Sequence, residues 1–354
     1  MPPAAPLIGI LTVTYNHESY IGPCIESVLQ QTYPNWEQIV VDDGSTDKTM
    51  QVIRSYSDPR IVPRQNSHRG LEGLAHTYNE ALAKSAGELI AILEGDDLWP
   101  ADKLAQLVPA FSNPNVILAY GSVKDCSADG VPSRGLSAYV RRRQRLPKSV
   151  LFNTPRGSTG IYMTRADAFD LIPESTVLIR RTALERIGGF QYVPGLCVAS
   201  YPTFLRLSLA GDFYYTPQIM GFRRRHSGSA SIRSASAIVA GVERYAREFL
   251  RQVPGGVPDA DIACINESWR HLGYAYQFTA GRVSLVEERW KDARAHFVRA
   301  LSPRWPRTFL AALAGWVLAG LHCNLERTLG WFGKARLSSA VLPDQRPAET
   351  RFPR

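Results

Sequence analysis

Glu94, Asp96 and Asp97 close an apolar run, Leu89-Ile90-Ala91-Ile92-Leu93, with only Gly95 among them. Carboxylates at that spacing repel one another strongly unless positive charge sits between them. One chemistry that fits is a divalent cation held by carboxylates and by the phosphates of a bound substrate. The other is a solvated acidic turn, with Asp96 or Asp97 as N-cap of a helix beginning near Pro100. The stretch alone leaves the two even. A second aspartate pair, Asp42-Asp43, ends the run Trp36 to Val41 and leads into Gly44-Ser45-Thr46-Asp47. The seven histidines and five cysteines are scattered, with no CxxC and no HExxH. That argues against zinc and a disulfide framework, and for a reducing compartment.

The elements that must position these groups alternate. An apolar run bounded by polar residues reads as a strand buried on both faces of a parallel sheet. Leu7 to Thr14 is such a run and opens into Tyr15-Asn16-His17-Glu18. Ser19 to Gln31 has helical spacing, with Ile21, Ile25, Val28 and Leu29 on one face. After the strand Trp36 to Val41, the pattern predicts a helix from Thr46 to Tyr56 capped by Ser45 or Thr46. A short strand over Arg60 to Arg64, a helix over Leu71 to Ser85 and the strand before Glu94 follow. Such alternation implies a parallel sheet with right-handed crossovers. Both aspartate pairs then sit at its C-terminal rim and look into one crevice.

Beyond this, Val116 to Tyr120 reads as a strand. Cys126 to Arg145 reads as a loop whose Arg141, Arg142, Arg143 and Arg145 form a solvated face. Ser175 to Arg180 is a β run, Thr182 to Ile187 a helix stopped by Gly188-Gly189, Tyr201 to Ala210 an amphipathic helix and Phe213 to Thr216 a strand. The basic stretch Phe222-Arg223-Arg224-Arg225-His226 comes next. From Ile232 the chain reads as helical, broken at Pro254 to Pro258. Trp269, Leu272, Gly273 and Tyr276 match the opening of a tetratricopeptide unit, and Ala293, Phe297 and Ala300 its second helix. The expected division is a catalytic domain over 1–231, with a nucleotide-binding half near 6–121 and an acceptor half near 122–231. A helical region over 232–342 and a disordered tail over 343–354 complete it.

With 354 residues, 45% hydrophobic and 21% charged, the chain is an ordinary globular protein. Its formal charge of +9 points to an anionic partner, which leaves membrane lipid, nucleic acid and phosphorylated substrate open. MPPAAPLIGI lacks a basic start and a long apolar core, so no secretory signal is indicated. Thr308 to Leu325 carries no formal charge but is rich in Ala and Gly, and reads as a buried or interfacial helix.

Taken together, TVTYNHESYI, SVLQQTYPNWEQIVVDDGSTDKT and GLAHTYNEALAKSAGELIAILEGDDLW closely resemble family 2 of the glycosyltransferases. The match runs over about 6–121 and continues loosely through Leu178-Ile179-Arg180-Arg181, Gly188-Gly189-Phe190, Leu205-Arg206-Leu207 and Arg224-Arg225-His226. The resemblance implies an α/β GT-A fold: a mostly parallel, Rossmann-like sheet flanked by helices, with a helical C-terminal region added. It implies that Val13, Thr14, Tyr15 and Asn16 lie against the base and ribose of a nucleotide, with Glu18 and Asp42 nearby. Asp43 would accept the imide N–H of a uracil-type base, favouring UDP or dTDP over ADP, and Gly73 to Asn79 would flank sugar and diphosphate. Asp96 and Asp97 correspond to a motif that binds Mg2+ or Mn2+, with Glu94 in place of the usual aspartate. His226 stands where a further metal or phosphate contact is expected, and Arg224 and Arg225 could neutralise phosphate.

The implied reaction is inverting transfer to a saccharide or lipid-linked acceptor, in polysaccharide or cell-surface glycan synthesis. It would take place in the cytoplasm, peripherally at the inner face of an anionic membrane. One departure stands out. The acidic general base expected six positions before Arg206 is Ser200, and a serine cannot supply it. Glu174 and Asp212 are the replacements considered, although Glu174 reads more simply as a surface cap ahead of its strand. Ser200 therefore keeps open a non-catalytic sugar-nucleotide binder. A nucleotidyltransferase would need a glycine-rich, basic loop after the first strand, and TVTYNHESY has no Gly, Lys or Arg. Nucleic-acid binding has only net charge in its favour.

Overall fold

The computed structural model describes residues 5–135, 143, 145–226 and 235–323. The expected tail over 343–354, and Arg141 and Arg142, lie outside them. Strands β1 (Ile8–Thr14), β2 (Trp36–Asp42), β3 (Ile61–Gln65) and β4 (Leu89–Ile92) alternate with helices α1 (Ile21–Leu29), α2 (Thr49–Arg54) and α3 (Leu74–Lys84). Then come α4 (Lys103–Leu107), β5 (Val116–Cys126), α5 (Lys148–Phe152), α6 (Ser158–Met163), β6 (Leu178–Arg180), α7 (Arg181–Arg186), α8 (Ser200–Ala210) and β7 (Asp212–Arg224). Among the described residues the strands form one sheet in the order β3-β2-β1-β4-β6-β5-β7. All neighbours are parallel except β6, which runs antiparallel to both β4 and β5.

The apolar runs become strands because they are buried from both sides. Ile8, Ile10, Val40, Leu89 and Ala91 share a core with Ile21, Ile25 and Val28 of α1, three of the four residues read as its inner face, and with Cys24, while Leu29, the fourth, is partly buried against it. Each such aliphatic side chain contributes about 1.5–3 kcal/mol by leaving water. Several expected boundaries shift for local reasons. The second helix starts at Thr49 rather than Thr46 because the Ser45 N–H and hydroxyl both bond the Asp42 carboxylate. Neither Asp96 nor Asp97 caps the helix after Pro100: α4 begins at Lys103 behind Asp102. Strands β5 and β7 run past the expected Tyr120 and Thr216 to Cys126 and Arg224, so Phe222-Arg223-Arg224 of the basic stretch is strand. Arg143, read as part of a solvated face, is 1% exposed and donates to the Gly121 carbonyl at 2.8 Å.

Lys103 is also fully buried. Its ammonium lies 3.4 Å above the Trp99 ring and donates to the carbonyls of Ser175 (3.0 Å) and Val177 (3.4 Å). Burial disfavours the charge and pulls its pKa well below the ordinary lysine value. Between that lowered value and about 10.4 the unfolded chain binds more protons than the folded one, so stability rises with pH across that window. Lys103→Met is expected to flatten the rise, by up to about 1.4 kcal/mol per pH unit. Urea unfolding of both proteins from pH 7 to pH 10 checks this, and parallel pH profiles would refute it.

The described residues divide into two compact units, those within 1–164, 168–226 and 237–257 against those within 165–167, 235–236 and 258–323. Helix α9 (Ala235–Leu250) falls almost wholly in the first, where Val242, Tyr245, Ala246 and Phe249 are buried at helical spacing. The helical stretch expected from residue 232 is thus shared between units. The second unit holds α10 (Asp259–Val286), α11 (Trp290–Ala300) and α12 (Pro306–Gly320). Ala293, Phe297 and Ala300 are fully buried, and a Cβ at Gly281 or Gly315 would stand 2.8 Å or 2.4 Å from the Phe297 ring. Those two glycines let neighbouring helices close on one phenylalanine. Gly273, the glycine of the tetratricopeptide pattern, faces open space instead. In α12, Ala312 and Ala319 are buried while Leu310, Leu313 and Val317 are exposed. No helix among the described residues is long and apolar enough to cross a membrane.

Candidate functional site

Two acidic turns are pinned to the end of one strand. The Asp43 N–H donates to the Thr14 carbonyl (2.9 Å) and the Gly95 N–H to the Val13 carbonyl (3.0 Å). Asp42-Asp43 and Glu94–Asp97 therefore flank the C-terminal end of β1 from either side, at the rim where open α/β sheets bind ligands. Gly95 is required there: a Cβ would stand 2.5 Å from Thr14 Oγ1 and 2.6 Å from Thr14 Cβ. The end of β7 reaches the same rim through a bridge between Leu98 and Phe222. Arg224 then donates its backbone N–H to Asp97 Oδ1 at 3.0 Å and its Nε–H to the Asp96 carbonyl at 2.7 Å.

These connections bring His226 Nε2 to 2.9 Å from Asp96 Oδ2. His17, one turn beyond β1 and bonded to Thr14 Oγ1 at 3.1 Å, completes a group. Ligand atoms of His17, Asp96 and His226 lie within 4.8 Å of one another. Among the described residues this is the set suited to a metal ion. It differs from the expected set, since Asp97 and Glu94 are not in it and His17 is. Asp97 is 2% exposed and turned toward the Arg224 N–H, and its Oδ2 has no hydrogen-bond partner.

The charges sort accordingly. Burial pushes the Asp97 carboxyl up to about 7, with the charge of Asp96 adding to it. Burial, then the charge of Glu174, pushes Glu94 well above the carboxylate range. At Asp96 burial is outweighed by the His226 hydrogen bond and the charges of both histidines, which hold it below its ordinary value. Asp96 is thus the carboxylate kept ionised, beside two imidazoles. A carboxylate with two imidazoles fits a divalent ion, and the nitrogens favour Mn2+ over the oxygen-seeking Mg2+.

Other residues expected at the site have local partners. Asp43 accepts from the backbone N–H of Arg69 and Gly70 (3.1 and 2.9 Å), and His68 Nδ1 lies 3.0 Å from its Oδ2. His68 in turn stacks on Tyr15 at 4.0 Å. Asn16, with φ +53°, accepts the Thr46 N–H at 2.9 Å. Glu18 is exposed and accepts the Lys48 N–H at 3.0 Å, ahead of α2. The Asn79 amide is engaged at both ends by the Phe190 backbone, each bond 2.8 Å. Gly73 precedes α3, with Arg69 packed so that a Cβ would meet it. Arg224 is 3% exposed and its Nη2 has no partner. Arg225 turns outward to Asp125 at 3.2 Å. Arg206 is exposed and lies 3.4 Å from the Tyr245 hydroxyl. Asp212 begins β7 beside Val116, at the opposite rim, and pairs with Arg156 at 3.3 Å. Glu174 is no surface cap: its carboxylate accepts the Ser200 hydroxyl, and its Oε2 is buried without a partner.

A family model described as Glycosyl transferase family 2 matches residues 9–188. Among curated proteins, the chain is 39% identical over 116 residues to the Escherichia coli UDP-Glc:alpha-D-GlcNAc-diphosphoundecaprenol beta-1,3-glucosyltransferase WfgD, which covers 33% of this chain and 45% of that protein. It is 27% identical over 233 residues to WfaP, of the same description and organism, covering 66% of this chain and 83% of that one. It is 34% identical to the Bacillus subtilis putative teichuronic acid biosynthesis glycosyltransferase TuaG over 132 residues, 36% of this chain and 50% of that protein. The matches to WfgD and TuaG thus span about half of those relatives' lengths. Among solved structures, the Pyrobaculum calidifontis mannosyltransferase PcManGT, in complex with GDP-Man and Mn2+, superposes with a TM-score of 0.55 at 20% identity, covering 92% of this chain and 89% of that one. Staphylococcus aureus TarS with UDP-GlcNAc gives 0.53 at 16% identity, covering 92% of each. At these identities the likeness is one of fold, which is the GT-A fold.

Proposed function

The chain belongs to glycosyl transferase family 2 and is a glycosyltransferase, and from that premise we propose a donor, an acceptor class and a metal. The donor is a UDP- or dTDP-sugar. The acceptor is a hydroxyl of a saccharide or lipid-linked glycan, attacked with inversion at the anomeric carbon during synthesis of a polysaccharide or cell-surface glycan. The observation that carries this reading is the placement of His17, Asp96 and His226 on the rim shared with Asp43.

A carboxylate has about four lone-pair sites. Asp43 uses three on Arg69, Gly70 and His68, which leaves one for the imide N–H of a pyrimidine base beside Val13 to Asn16. Asp42 holds Ser45 and so the turn around that base. Arg224, whose Nη2 has no partner, would neutralise phosphate charge. A divalent ion held by Asp96, His17 and His226 would offset charge on the departing nucleoside diphosphate. Relatives described as acting on a diphosphoundecaprenol-linked sugar, together with the +9 charge, support work at the cytoplasmic face of an anionic membrane.

Thermal shift against UDP, dTDP, GDP and ADP, each with Mn2+ or EDTA, tests the donor site. UDP or dTDP at a hundredfold excess over its Kd is expected to stabilise the protein by about 2.7 kcal/mol, and only with Mn2+. Equal shifts with ADP, or no metal-dependent shift with UDP or dTDP, would overturn the reading. Ser200 favours a second one, a sugar-nucleotide binder without turnover. That reading expects the same shift and no nucleoside diphosphate released with any acceptor.

A further inference from the structure

Attack by a neutral hydroxyl needs a group that takes its proton as the new bond forms, and most carboxylates near the rim are committed. Asp96 is bonded to His226, Asp97 gives one oxygen to the Arg224 N–H and keeps the other unpaired but directly follows the metal-set Asp96, and Asp212 lies at the opposite rim with Arg156. Glu174 differs in two respects.

The first is where the fold puts it. Strand β6 is antiparallel to β4, with Leu178 beside Ala91 and Arg180 beside Leu89. Its beginning, and the Glu174–Thr176 turn that leads into it, therefore lie where β4 ends and the acidic turn starts. The Ser175 carbonyl, next in the chain to Glu174, accepts the Trp99 Nε1–H at 2.7 Å, which ties this turn to the residues that follow Asp97. A segment some eighty residues downstream in the chain thus delivers a carboxylate to the donor rim.

The second is how it is held. One oxygen accepts the Ser200 hydroxyl at the first residue of α8, and Oε2 is buried with no partner at all. An unpaired buried acceptor is costly, and a fold retains one where the group has another use. Burial also raises its affinity for a proton, in the direction a general base needs.

We propose that Glu174 is the general base of the transfer and that Ser200, which bonds its other oxygen, is the residue that positions it. Resting on the donor reading above, the step balances without a further reactant. The acceptor oxygen bonds to the anomeric carbon, its proton passes to Glu174 Oε2, and the bond from that carbon to the diphosphate oxygen breaks with its electron pair leaving on the diphosphate. The carboxylate has moved from the helix start to the turn facing it, which is why residue 200 can be a serine.

The test measures nucleoside diphosphate release with acceptor, alongside the UDP and Mn2+ thermal shift, in the same full-length variants. Glu174→Gln is expected to lower kcat by about 10²–10⁴-fold with the thermal shift unchanged. Adding Ser200→Asp to it is expected to restore at least tenfold, because that carboxylate sits on the helix start beside the vacated one. Ser200→Ala is expected to lower kcat with donor KM unchanged, and Ser200→Thr, which keeps the hydroxyl, to recover it. If Glu174→Gln does not fold, Glu174→Asp serves in its place: it keeps the charge, draws it back by one methylene, and is expected to lose at least tenfold. Wild-type turnover with full activity in Glu174→Gln or Glu174→Asp, or a loss that follows Glu94→Gln instead, would overturn the proposal. Absence of the UDP shift from the wild type would overturn the donor reading beneath it.

Discussion

Asp96→Asn is expected to abolish the Mn2+-dependent stabilisation by UDP and to lower turnover by about 10³-fold, the several kcal/mol that a metal ion contributes by stabilising developing charge. The asparagine keeps the shape and a hydrogen bond to His226 but removes the carboxyl of the Glu94–Asp97 turn whose pKa is held below its ordinary value. Asp97, pushed up to about 7, and Glu94, pushed well above the carboxylate range, are poor substitutes at neutral pH. EDTA should bring wild-type activity down by a similar factor. Mn2+ should restore the wild type and leave the variant where it was. Turnover of Asp96→Asn within tenfold of wild type, still sensitive to EDTA, would show that the ion is held elsewhere.

Gly95→Ala should do comparable damage without touching a ligand. The new methyl would lie 2.5 Å from Thr14 Oγ1 and 2.6 Å from Thr14 Cβ, with His17 Nδ1 at 3.3 Å. The Cβ contact is with the root of a side chain, so rotating Thr14 does not relieve it. Either the turn lifts from β1 and carries Asp96 with it, or Thr14 shifts and releases His17, whose ring nitrogen it holds. Overpacking of this kind costs about 1–3 kcal/mol, and displacing a site by about 1 Å costs roughly 10²-fold in rate. The variant is expected to melt earlier and to need more Mn2+ for half-maximal activity. A Mn2+ titration that overlays the wild type would refute the coupling.

The first half of the fold was legible because its signals are local. Runs such as Leu89 to Leu93 are apolar throughout when buried on both faces, and α1 shows its inner face at helical spacing. Asp96 and His226 were legible as partners only through the order of motifs, since 130 residues separate them. His17 was passed over as one of several scattered histidines. The available signal was its place just beyond a strand that ends beside the acidic turns. Asn79, Glu18 and Arg206 have types that suit a binding site, and the fold also engages them with Phe190, Lys48 and Tyr245. Nothing in a sequence tells an amide that grips a ligand from one that grips a neighbouring backbone. Arg143 is similar, because an arginine-rich run reads as solvated until one member reaches a buried carbonyl. Glu174 could be named as a replacement base but not preferred to Asp212 or to a surface cap, since the direction of β6 follows from non-local pairing.

That strand has a consequence for how the chain is made. Strands β1 to β4 come from residues 8–92 and can pair as soon as they emerge. The outer edge of β4, Leu89-Ile90-Ala91-Ile92, stays open until residues 178–180 arrive. At about 5–20 residues per second that wait is on the order of ten seconds on the ribosome. The edge carries neither charge nor proline, so it is a template for pairing with another nascent chain. The half that holds the donor rim is therefore born with an adhesive side, and the strand that brings Glu174 is also the one that seals it.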